Sequence, residues 1–249
     1  YSEETTSSAG IPLRLSADVN LKSVRGTLKE TYDQSIADLN AAADLLPLKS
    51  PYKTRPSRLA VYALLSRTYL NMGDYSKAAA FADSCLQYQN ALVDFSKLNA
   101  TAARPVPKFN DEVILHQILI NYTFDLNGII DTNLYRSYSA NDLRKAVFFN
   151  DRGKGVINFK GSYTGDFSNF SGLAMDEIYL IRAECYAREG NTGMAMQLLN
   201  NLLVKRWKAG SFVALVAASA DDALGLILDE RKKELVFRGV RWSDLRRLN

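Results

Sequence analysis

The chain has 249 residues, of which 47% are hydrophobic and 23% charged, proportions that are typical of a globular protein and exclude a disordered one. Its 31 basic residues face 27 acidic ones, and this near balance argues against a nucleic-acid-binding protein, since such proteins concentrate charge of one sign. No apolar run reaches the roughly 18 to 20 residues that a membrane-spanning helix needs, and two cysteines with one histidine are too few for a Cys/His zinc site.

Apolar side chains at three- and four-residue spacing predict a series of amphipathic helices. Pro47 ends the first helix, and Gly73 is placed to cap the second in a left-handed conformation. Asp74 can begin the third helix as an N-cap, Gly190 separates the next two helices, and Gly239 closes the last. The predicted helices span residues 22–46, 56–72, 75–87, 176–189, 191 or 192 to 208, and 221–237.

Two of the predicted helical hairpins match each other along the sequence. The matching pairs, all 117 residues apart, are Tyr62 with Tyr179, Tyr69 with Tyr186, Gly73 with Gly190, and Ala78 with Ala195. This pattern is similar to the tetratricopeptide repeat, in which small residues let two helices approach closely. Because such hairpins bury their apolar faces only against neighbours, we expect the two to stack in space. Two unrelated hairpins are the alternative.

Helical periodicity fades between the hairpins. Residues 112–120, EVILHQILI, predict a strand, and residues 147–149 and 155–159 predict shorter ones. His116 falls on an apolar face of the first strand, which favours a core histidine over a base or a ligand. A single domain over residues 1–249 is therefore expected to comprise a helical region with the first hairpin (22–99), an irregular variable region (100–171), and the second hairpin with a terminal segment (172–249).

The end of the chain carries a long motif. Residues 227–249, ILDERKKELVFRGVRWSDLRRLN, resemble the closing signature of the SusD/RagB family, E-R-x-x-E-L-x-F-E-G-x-R-W-x-D-L-x-R. Arg238 departs from this signature, because the family usually has an acidic residue there. The matched residues are Glu230, Arg231, Glu234, Leu235, Phe237, Gly239, Arg241, Trp242, Asp244, Leu245 and Arg247. Further segments resemble the family in the same order: YDQSIADLNAAADLLP, TRPSRLAVYALLSRTYLNMGDYSKAAAFADSCL, NDEVILHQI, NDLRKAVFF and EIYLIRAECYAREGN.

The resemblance implies a mainly α fold, in which tetratricopeptide-like hairpins form a SusD-like α-α superhelix with an irregular, loop-rich insertion that carries short strands. It implies a surface-exposed outer-membrane lipoprotein that captures oligosaccharides or polysaccharides for import through a SusC-type TonB-dependent transporter. Such a binding protein is not an enzyme, and it implies no cofactor and no metal site. Family members usually begin with a lipidated cysteine, so we expect a truncated chain whose membrane attachment depends on a lipid anchor outside this sequence.

Within the signature, Glu230 and Glu234 lie one helical turn apart, as a general acid and base could. The basic residues around them favour ionised and paired carboxylates instead, so we predict a structural role. In this interpretation Glu230 binds Arg241 or Arg247, and Trp242 packs into the hairpin stack. The structural signature residues are Glu230, Arg231, Glu234, Arg241, Trp242 and Asp244.

Sugar binding requires aromatic rings that stack on the C–H face of a pyranose, beside polar groups that bind its hydroxyls. Residues 121–141 mix such side chains, in a part of the chain where members of the resembled family vary. The candidate ligand-binding residues are Tyr122, Phe124, Asn133, Tyr135, Arg136 and Tyr138. The alternative is that these aromatic side chains only hold a long loop against the helices.

Two other functions stay open. A tetratricopeptide-type protein–protein interaction scaffold would bind peptides in a groove, but a contiguous array would favour it, and about 70 irregular residues separate these hairpins. A carbohydrate-active enzyme would need two carboxylates facing one cleft. Four aspartates lie near the irregular region without a spacing that selects a pair: Asp142, Asp151, Asp166 and Asp176.

Overall fold

A computed structural model of the protein describes residues 7–119 and 128–249, and it confirms a mainly α fold. The helices are α1 (Leu28–Leu45), α2 (Arg58–Met72), α3 (Tyr75–Tyr88), α4 (Thr132–Ser137), α5 (Arg144–Phe148), α6 (Met175–Arg188), α7 (Thr192–Leu203), α8 (Ala220–Glu234) and α9 (Arg241–Leu248). The strands are β1 (Ala9–Pro12), β2 (Arg25–Thr27), β3 (Val113–Leu115), β4 (Ile118–Leu119), β5 (Phe149–Asp151), β6 (Ile157–Phe159), β7 (Asn169–Phe170) and β8 (Leu173–Ala174). They pair antiparallel as β1 with β2, β3 with β8, β4 with β7 and β5 with β6. Among the described helices, none combines the length and the apolar composition that crossing a membrane requires.

Local chemistry sets the bounds of α1. The Thr27 hydroxyl accepts from the backbone N–H of Glu30 at 3.1 Å, and the Glu30 carboxylate accepts from the backbone N–H of Thr27 at 2.7 Å. This reciprocal capping box satisfies N–H groups that have no partner inside the helix. The helix ends at Leu45, just before Pro47, as predicted.

The two predicted hairpins turn in the same way. Gly73 and Gly190 both adopt the left-handed conformation, with φ of +76° and +79°, which a residue with a Cβ reaches only with strain. Asp74 and Asn191 then each accept from the backbone N–H three residues ahead, at 3.1 and 3.2 Å. The same turn therefore joins α2 to α3 and α6 to α7, as the sequence match predicts.

The hairpins stack through α3 and α6, which confirms the predicted contact between them. Ala78 and Ala195 are both fully buried, so the two helices of each hairpin approach closely. The Tyr179 hydroxyl donates to the Asn90 carbonyl at 3.0 Å and fastens the second hairpin to the chain that follows the first. This stack forms the main hydrophobic core, to which α8 adds its inner face.

A second core lies beneath the irregular region, and it is largely aromatic. Phe148 meets Phe95 edge-on with ring centroids 5.6 Å apart, and Phe149 meets Tyr138 in the same manner at 5.3 Å. Edge-to-face contacts of this kind are favourable beyond the area that they bury. Much of the aromatic content of the variable region is therefore used for packing.

The strand predicted over residues 112–120 is two short strands, β3 and β4, and Ile120 lies outside the described residues. The break falls at His116, whose N–H leaves the sheet and donates to the Lys53 carbonyl at 2.6 Å. β3 then pairs with β8 and β4 with β7. His116 is buried against the ring of Phe170 at 5.7 Å, in agreement with a core histidine.

Two other predictions of secondary structure are wrong, and one helix is missing from them. Residues 147–149 are the end of α5 followed by the start of β5, and the helix predicted to reach residue 208 ends at Leu203. Arg206 accounts for the early end, because its fully buried guanidinium binds Glu234 at 2.7 Å and the chain must turn inward to place it. Helix α9 was not predicted, since its apolar residues are few.

Candidate functional site

The terminal signature lies in a buried network of ion pairs that joins the irregular region to the last helices. Arg144 donates to Glu230 at 2.5 Å and to Glu234 at 3.0 Å, and it also binds Asp142 at 2.7 Å. Arg206 binds the other oxygen of Glu234 at 2.7 Å. The side chains of this network are at most 10% exposed, so the carboxylates serve to hold the fold together.

A second part of the network anchors α9. Arg231 binds Asp244 at 2.9 Å, and Arg247 binds the same carboxylate at 2.9 Å. Arg247 also holds Glu184 of α6 with contacts of 2.6 and 2.8 Å. These fork-shaped contacts tie the end of the chain to the second hairpin, so a structural role for Arg231 and Asp244 agrees with their surroundings.

The partner predicted for Glu230 is wrong. Arg241 is exposed, and Arg247 is occupied in the anchor of α9. Glu230 binds Arg144 and Lys233 instead, at 2.5 and 2.7 Å. Arg144 lies 86 residues earlier in the chain, so spacing within the terminal motif could not identify it.

Arg238, which departs from the family signature, carries its own acidic partner. Its guanidinium binds Asp176 at 3.2 and 3.3 Å. It also lies over the rings of Tyr163 and Phe170, 4.7 and 4.4 Å from their centroids. A buried cation is tolerated here because a carboxylate and two aromatic faces surround it.

The buried carboxylates are unsuited to acid–base catalysis. Burial raises the pKa of Glu112 to about 7 against the charge of Arg206, and the side chain is fully buried. Burial also raises the pKa of Glu177, but the charge and hydrogen bonds of Arg67 outweigh it and lower the pKa to about 2. Closed off from solvent, these carboxyls have no path to a substrate proton. Among the residues that the structure describes, no cluster of three or more His, Cys, Asp or Glu is arranged to hold a metal ion.

Two of the predicted ligand-binding residues, Tyr122 and Phe124, lie outside the described part of the chain. Tyr138 is 1% exposed, and its hydroxyl donates to the Lys233 carbonyl at 2.8 Å. Its ring packs against Phe149 in the second core, so the expectation that Tyr138 offers a stacking face is wrong. The segment is rich in aromatic residues, but this composition does not distinguish a ring buried in the core from a ring that stacks on a ligand.

The remaining predicted residues stay accessible. Asn133 and Arg136 are exposed, and Tyr135 is half-buried. The Tyr135 ring meets Phe149 edge-on at 5.6 Å, with Lys145 Nζ 4.8 Å from its centroid. Asn133 and Tyr135 therefore belong to different surroundings, although they are two residues apart.

A cavity of about 510 Å³ opens in the irregular region. Three asparagine side chains line it, Asn150, Asn158 and Asn169, and we call it the amide cavity. Asn150 and Asn158 face each other across the β5–β6 pair, while Asn169 begins β7. The ring of Phe237, from the terminal signature, forms another part of the wall.

The amide cavity combines an open aromatic ring with unsatisfied polar groups. Phe167 lines it and is 71% exposed, with the Arg104 guanidinium 4.2 Å from the ring centroid. Asn158 is 7% exposed and donates through Nδ2 to the Gly128 carbonyl at 2.9 Å. Its buried Oδ1 has no hydrogen-bond partner among the described residues. These are the side chains that bind a flat apolar face ringed by hydroxyls.

A second cavity, of about 630 Å³, lies beside the terminal signature, and we call it the tryptophan cavity after Trp242 in its wall. Trp242 is 70% exposed, so the prediction that it packs into the hairpin stack is wrong. The inward side of α9 carries Asp244 and Arg247, whose ion pairs turn Trp242 outward. Asn133 and Arg241 also line this cavity.

Phe237 lines both cavities, which therefore share a wall. Its ring stacks on Phe159 with centroids 4.6 Å apart and an angle of 12°. Its backbone φ is +59°, a left-handed conformation that is strained for a residue with a side chain. Backbone strain of this kind gathers at ligand sites, where surrounding structure enforces it.

Sequence reasoning missed the residues of the amide cavity. Phe167 stands in the segment GDFSNFSG, whose glycine, aspartate and serine predict a turn, and an aromatic ring in such a turn is a signal that could have found it. Arg104 and Asn158 come from separate segments of the irregular region. No spacing in the sequence relates them to Phe167.

The stacked hairpins, with an irregular insertion between them, define a tetratricopeptide-like helical protein. A family model described as "Starch-binding associating with outer membrane" matches residues 3–70, and one described as "SusD family" matches residues 165–249. The chain belongs to the SusD/RagB family, which confirms the resemblance in its terminal signature.

Similar proteins support this family. SusD-like protein P2 of Formosa agariphila is 25% identical over 88% of this chain and 56% of its own length. The structure of a SusD-like carbohydrate binding protein from Bacteroides vulgatus has a TM-score of 0.73 at 25% identity, covering 97% of this chain and 56% of that one. Surface glycan-binding protein A from Bacteroides uniformis shares the fold, with a TM-score of 0.70 at 19% identity over 95% of this chain and 61% of that one. The chain thus spans little more than half the length of these relatives.

Proposed function

We propose that the protein is a surface-exposed nutrient-binding lipoprotein of the outer membrane, which captures oligosaccharides or polysaccharides for import through a SusC-type TonB-dependent transporter. Membership of the SusD/RagB family supports this function. The names of two relatives point the same way, since one is a carbohydrate binding protein and another a surface glycan-binding protein. The lipid anchor and the transporter partner belong to the proposal as properties of the whole protein.

One observation carries the proposal, and it is the chemistry of the amide cavity. An exposed Phe167 ring stands beside amide and guanidinium groups that can bind sugar hydroxyls. Stacking of a pyranose on that ring would remove apolar surface of both partners from water. The cavity's size, about 510 Å³, lies in the range of ordinary small-molecule sites.

We place a second contact zone at the tryptophan cavity, which Asn133, an accessible member of the predicted ligand-binding set, lines. Asn133 lines this cavity next to the exposed Trp242, while Tyr135 and Arg136 lie nearby in sequence on α4. Because Phe237 belongs to both cavity walls, the two contact zones are neighbours, and we propose that an extended oligosaccharide contacts both. Arg136 and Tyr135 then act at the edge of the second contact zone.

We infer binding without turnover. The described carboxylates of the terminal signature are committed to arginines in the buried network, and none of them opens on the amide cavity. Asp166 is the acidic side chain that lines that cavity, and a glycosidase needs two. Asp131 and Asp244 line the tryptophan cavity, but Asp244 is held there by Arg231 and Arg247.

A protein–protein interaction scaffold is the second candidate, and one observation favours it. An apolar groove of about 310 Å³ runs between α1 and α2, lined by Leu39, Leu46 and Leu64 among others. Tetratricopeptide-like hairpins can hold a peptide helix in such a groove. A protein that binds peptides and no saccharide would support this candidate over the first.

A glycan array followed by calorimetry on the best-bound saccharide tests the proposal. Phe167→Ala should weaken binding by about 1–3 kcal/mol, roughly 5- to 150-fold, because it removes the stacking face. The fold should be unaffected, since the ring is 71% exposed.

Tyr52→Ala is the matched control. Tyr52 is also exposed, at 62%, and also carries an arginine over its ring, but it lines neither cavity. Its replacement should leave saccharide affinity unchanged. An array with no bound saccharide, or an equal loss in the two variants, would count against the proposal.

A further inference from the structure

We infer that the amide cavity selects a saccharide that carries a negative charge, as a uronic acid carboxylate or a sulfate ester, over neutral saccharides of the same length. This inference rests on the proposed function, because it specifies the ligand of the same site. It starts from the charged side chains of the cavity wall. Arg104, Arg152 and Lys160 line it, against the single lining carboxylate of Asp166.

The two half-buried cations, Arg104 and Lys160, and the exposed Arg152 differ from the buried arginines among the described residues. Arg144, Arg206 and Arg238 each bind at least one carboxylate. Among the residues described, neither Arg104 nor Lys160 lies within ion-pair distance of a carboxylate, and the same holds for Arg152. Three cations of the cavity wall therefore share one carboxylate, Asp166, whose charge acts on Arg104 from beyond ion-pair distance.

Backbone carbonyls and an aromatic ring hold two of the cations in position. Lys160 Nζ donates to the carbonyls of Ala100 and Ala102 at 2.8 and 3.4 Å. Arg104 donates through Nη1 to the Ala103 carbonyl at 2.9 Å and lies over the Phe167 ring. Its Nε is buried and has no hydrogen-bond partner in the part of the chain that the structure describes. The donors are thus placed by the fold while some of their capacity stays unused.

The two half-buried cations are also electrostatically unfavourable as they stand. Burial lowers the pKa of Arg104, and burial together with the charge of Arg104 lowers the pKa of Lys160. An anionic group in the cavity would offset both effects at once. Hydrogen bonds between such cations and a carboxylate or sulfate are about twice as strong as those between neutral groups.

The surroundings fit a sugar that bears the charge better than a free ion. Phe167 offers an exposed ring for a pyranose face, and the Asn158 side chain lines the cavity beside it. Asn150 adds an exposed amide on the same wall. A small inorganic anion would use the cations alone and leave these groups unoccupied.

Calorimetry with four probes on the full protein tests the inference. The probes are tetragalacturonate, chemically sulfated cellotetraose, unmodified cellotetraose and inorganic sulfate. At least one of the charged tetrasaccharides should bind about 10-fold or more tightly than cellotetraose, and its affinity should fall as salt rises from about 50 to 500 mM. The preferred member of the charged pair identifies carboxylate or sulfate as the recognised group.

Variants of the cavity connect the selectivity to its residues. Arg104→Gln and Arg152→Gln should each reduce the affinity for the charged tetrasaccharide about 10-fold and that for cellotetraose by a clearly smaller factor, since a glutamine still binds a sugar hydroxyl but carries no charge. Arg55→Gln is the matched control, because Arg55 also lies over an exposed ring, that of Tyr52, and lines neither cavity. It should behave as the wild type.

The outcomes separate this inference from the proposed function. If the protein binds neutral and charged tetrasaccharides equally well, with no effect of Arg104→Gln, the inference fails and the proposed function stands. If inorganic sulfate binds as tightly as the sulfated sugar, the cavity is an anion site and the inference is also wrong. If no saccharide binds, here or on a glycan array, the proposed function itself fails.

Discussion

Arg206 and Glu234 form an ion pair that is closed off from solvent, with Nε 2.7 Å from Oε1 and both side chains fully buried. Arg206 follows α7 and Glu234 ends α8. The same guanidinium also binds Glu112, at 2.8 Å, next to β3. Arg206 thus joins three distant parts of the chain. Glu234 is the residue of the terminal signature that binds it.

Replacing Arg206 by methionine should lower the free energy of unfolding by about 3–5 kcal/mol, because Glu112 loses its arginine and stays buried without a cation. Urea unfolding followed by circular dichroism measures the change. Lys232→Met is the control, since Lys232 pairs with Asp229 at the exposed surface at 3.2 Å and should cost less than about 1 kcal/mol. Equal stability of the two variants would contradict a structural role for the network.

The stability of the protein should fall in acid partly through Glu177. Arg67 holds this buried carboxylate with contacts of 2.8 and 2.5 Å and lowers its pKa from 4.5 to about 2. A lowered pKa stabilises the fold fully above pH 4.5, and the contribution is lost as the pH falls toward 2. This difference in pKa corresponds to about 3 kcal/mol.

Glu177→Gln should therefore be less stable than the wild type at pH 7 and should lose less stability between pH 4.5 and 3. Urea midpoints at pH 7 and across the interval from pH 4.5 to 3 measure both effects. Glu189→Gln serves as the control, because Glu189 is an exposed partner of Arg182 at 3.4 Å and its loss should leave the acid dependence as in the wild type. A Glu177→Gln variant with the full acid dependence would contradict this assignment.

The helical hairpins were predictable because their signals are local. Gly73 ends one helix by its left-handed backbone, and Asp74 begins the next by a side-chain cap three residues away. Gly190 and Asn191 repeat this arrangement. The irregular region was not predictable in detail, because its order depends on contacts such as that between Arg144 and Glu230, 86 residues apart. The spacing of apolar residues along the sequence does not predict ion pairs between such distant residues.

The candidate site was less predictable still. Tyr138 and Phe167 are both aromatic residues among polar neighbours, yet one is 1% and the other 71% exposed. Their difference arises from tertiary packing, since Tyr138 is drawn under α8 by its bond to the Lys233 carbonyl. The predicted burial of Trp242 is wrong for a related reason. The ion-pairing residues of α9 face inward, so its largest apolar ring faces solvent.

The exposed position of Trp242 leads to a prediction about stability. Trp242→Ala should change the free energy of unfolding by less than about 1 kcal/mol, since the 70% exposed ring leaves no cavity in the core. Leu180→Ala, at a fully buried position of α6, should cost about 2–5 kcal/mol. Parallel urea titrations compare the two, and a loss in Trp242→Ala as large as that in Leu180→Ala would show that the ring is covered in the protein in solution.

Two glycines should respond in opposite directions to substitution by alanine. Gly225 lies inside α8 with open space where a Cβ would stand, so Gly225→Ala should stabilise the protein by about 0.5–1 kcal/mol through the higher helix propensity of alanine. Gly172 connects β7 to β8, and a Cβ there would lie 2.0 Å from the Leu115 carbonyl oxygen. Since that oxygen belongs to the backbone of the paired strand, Gly172→Ala should destabilise the protein by about 1–3 kcal/mol. Thermal unfolding of the two variants gives the sign of each change in stability. A stabilised Gly172→Ala would show that β3 does not approach β8 as closely as described.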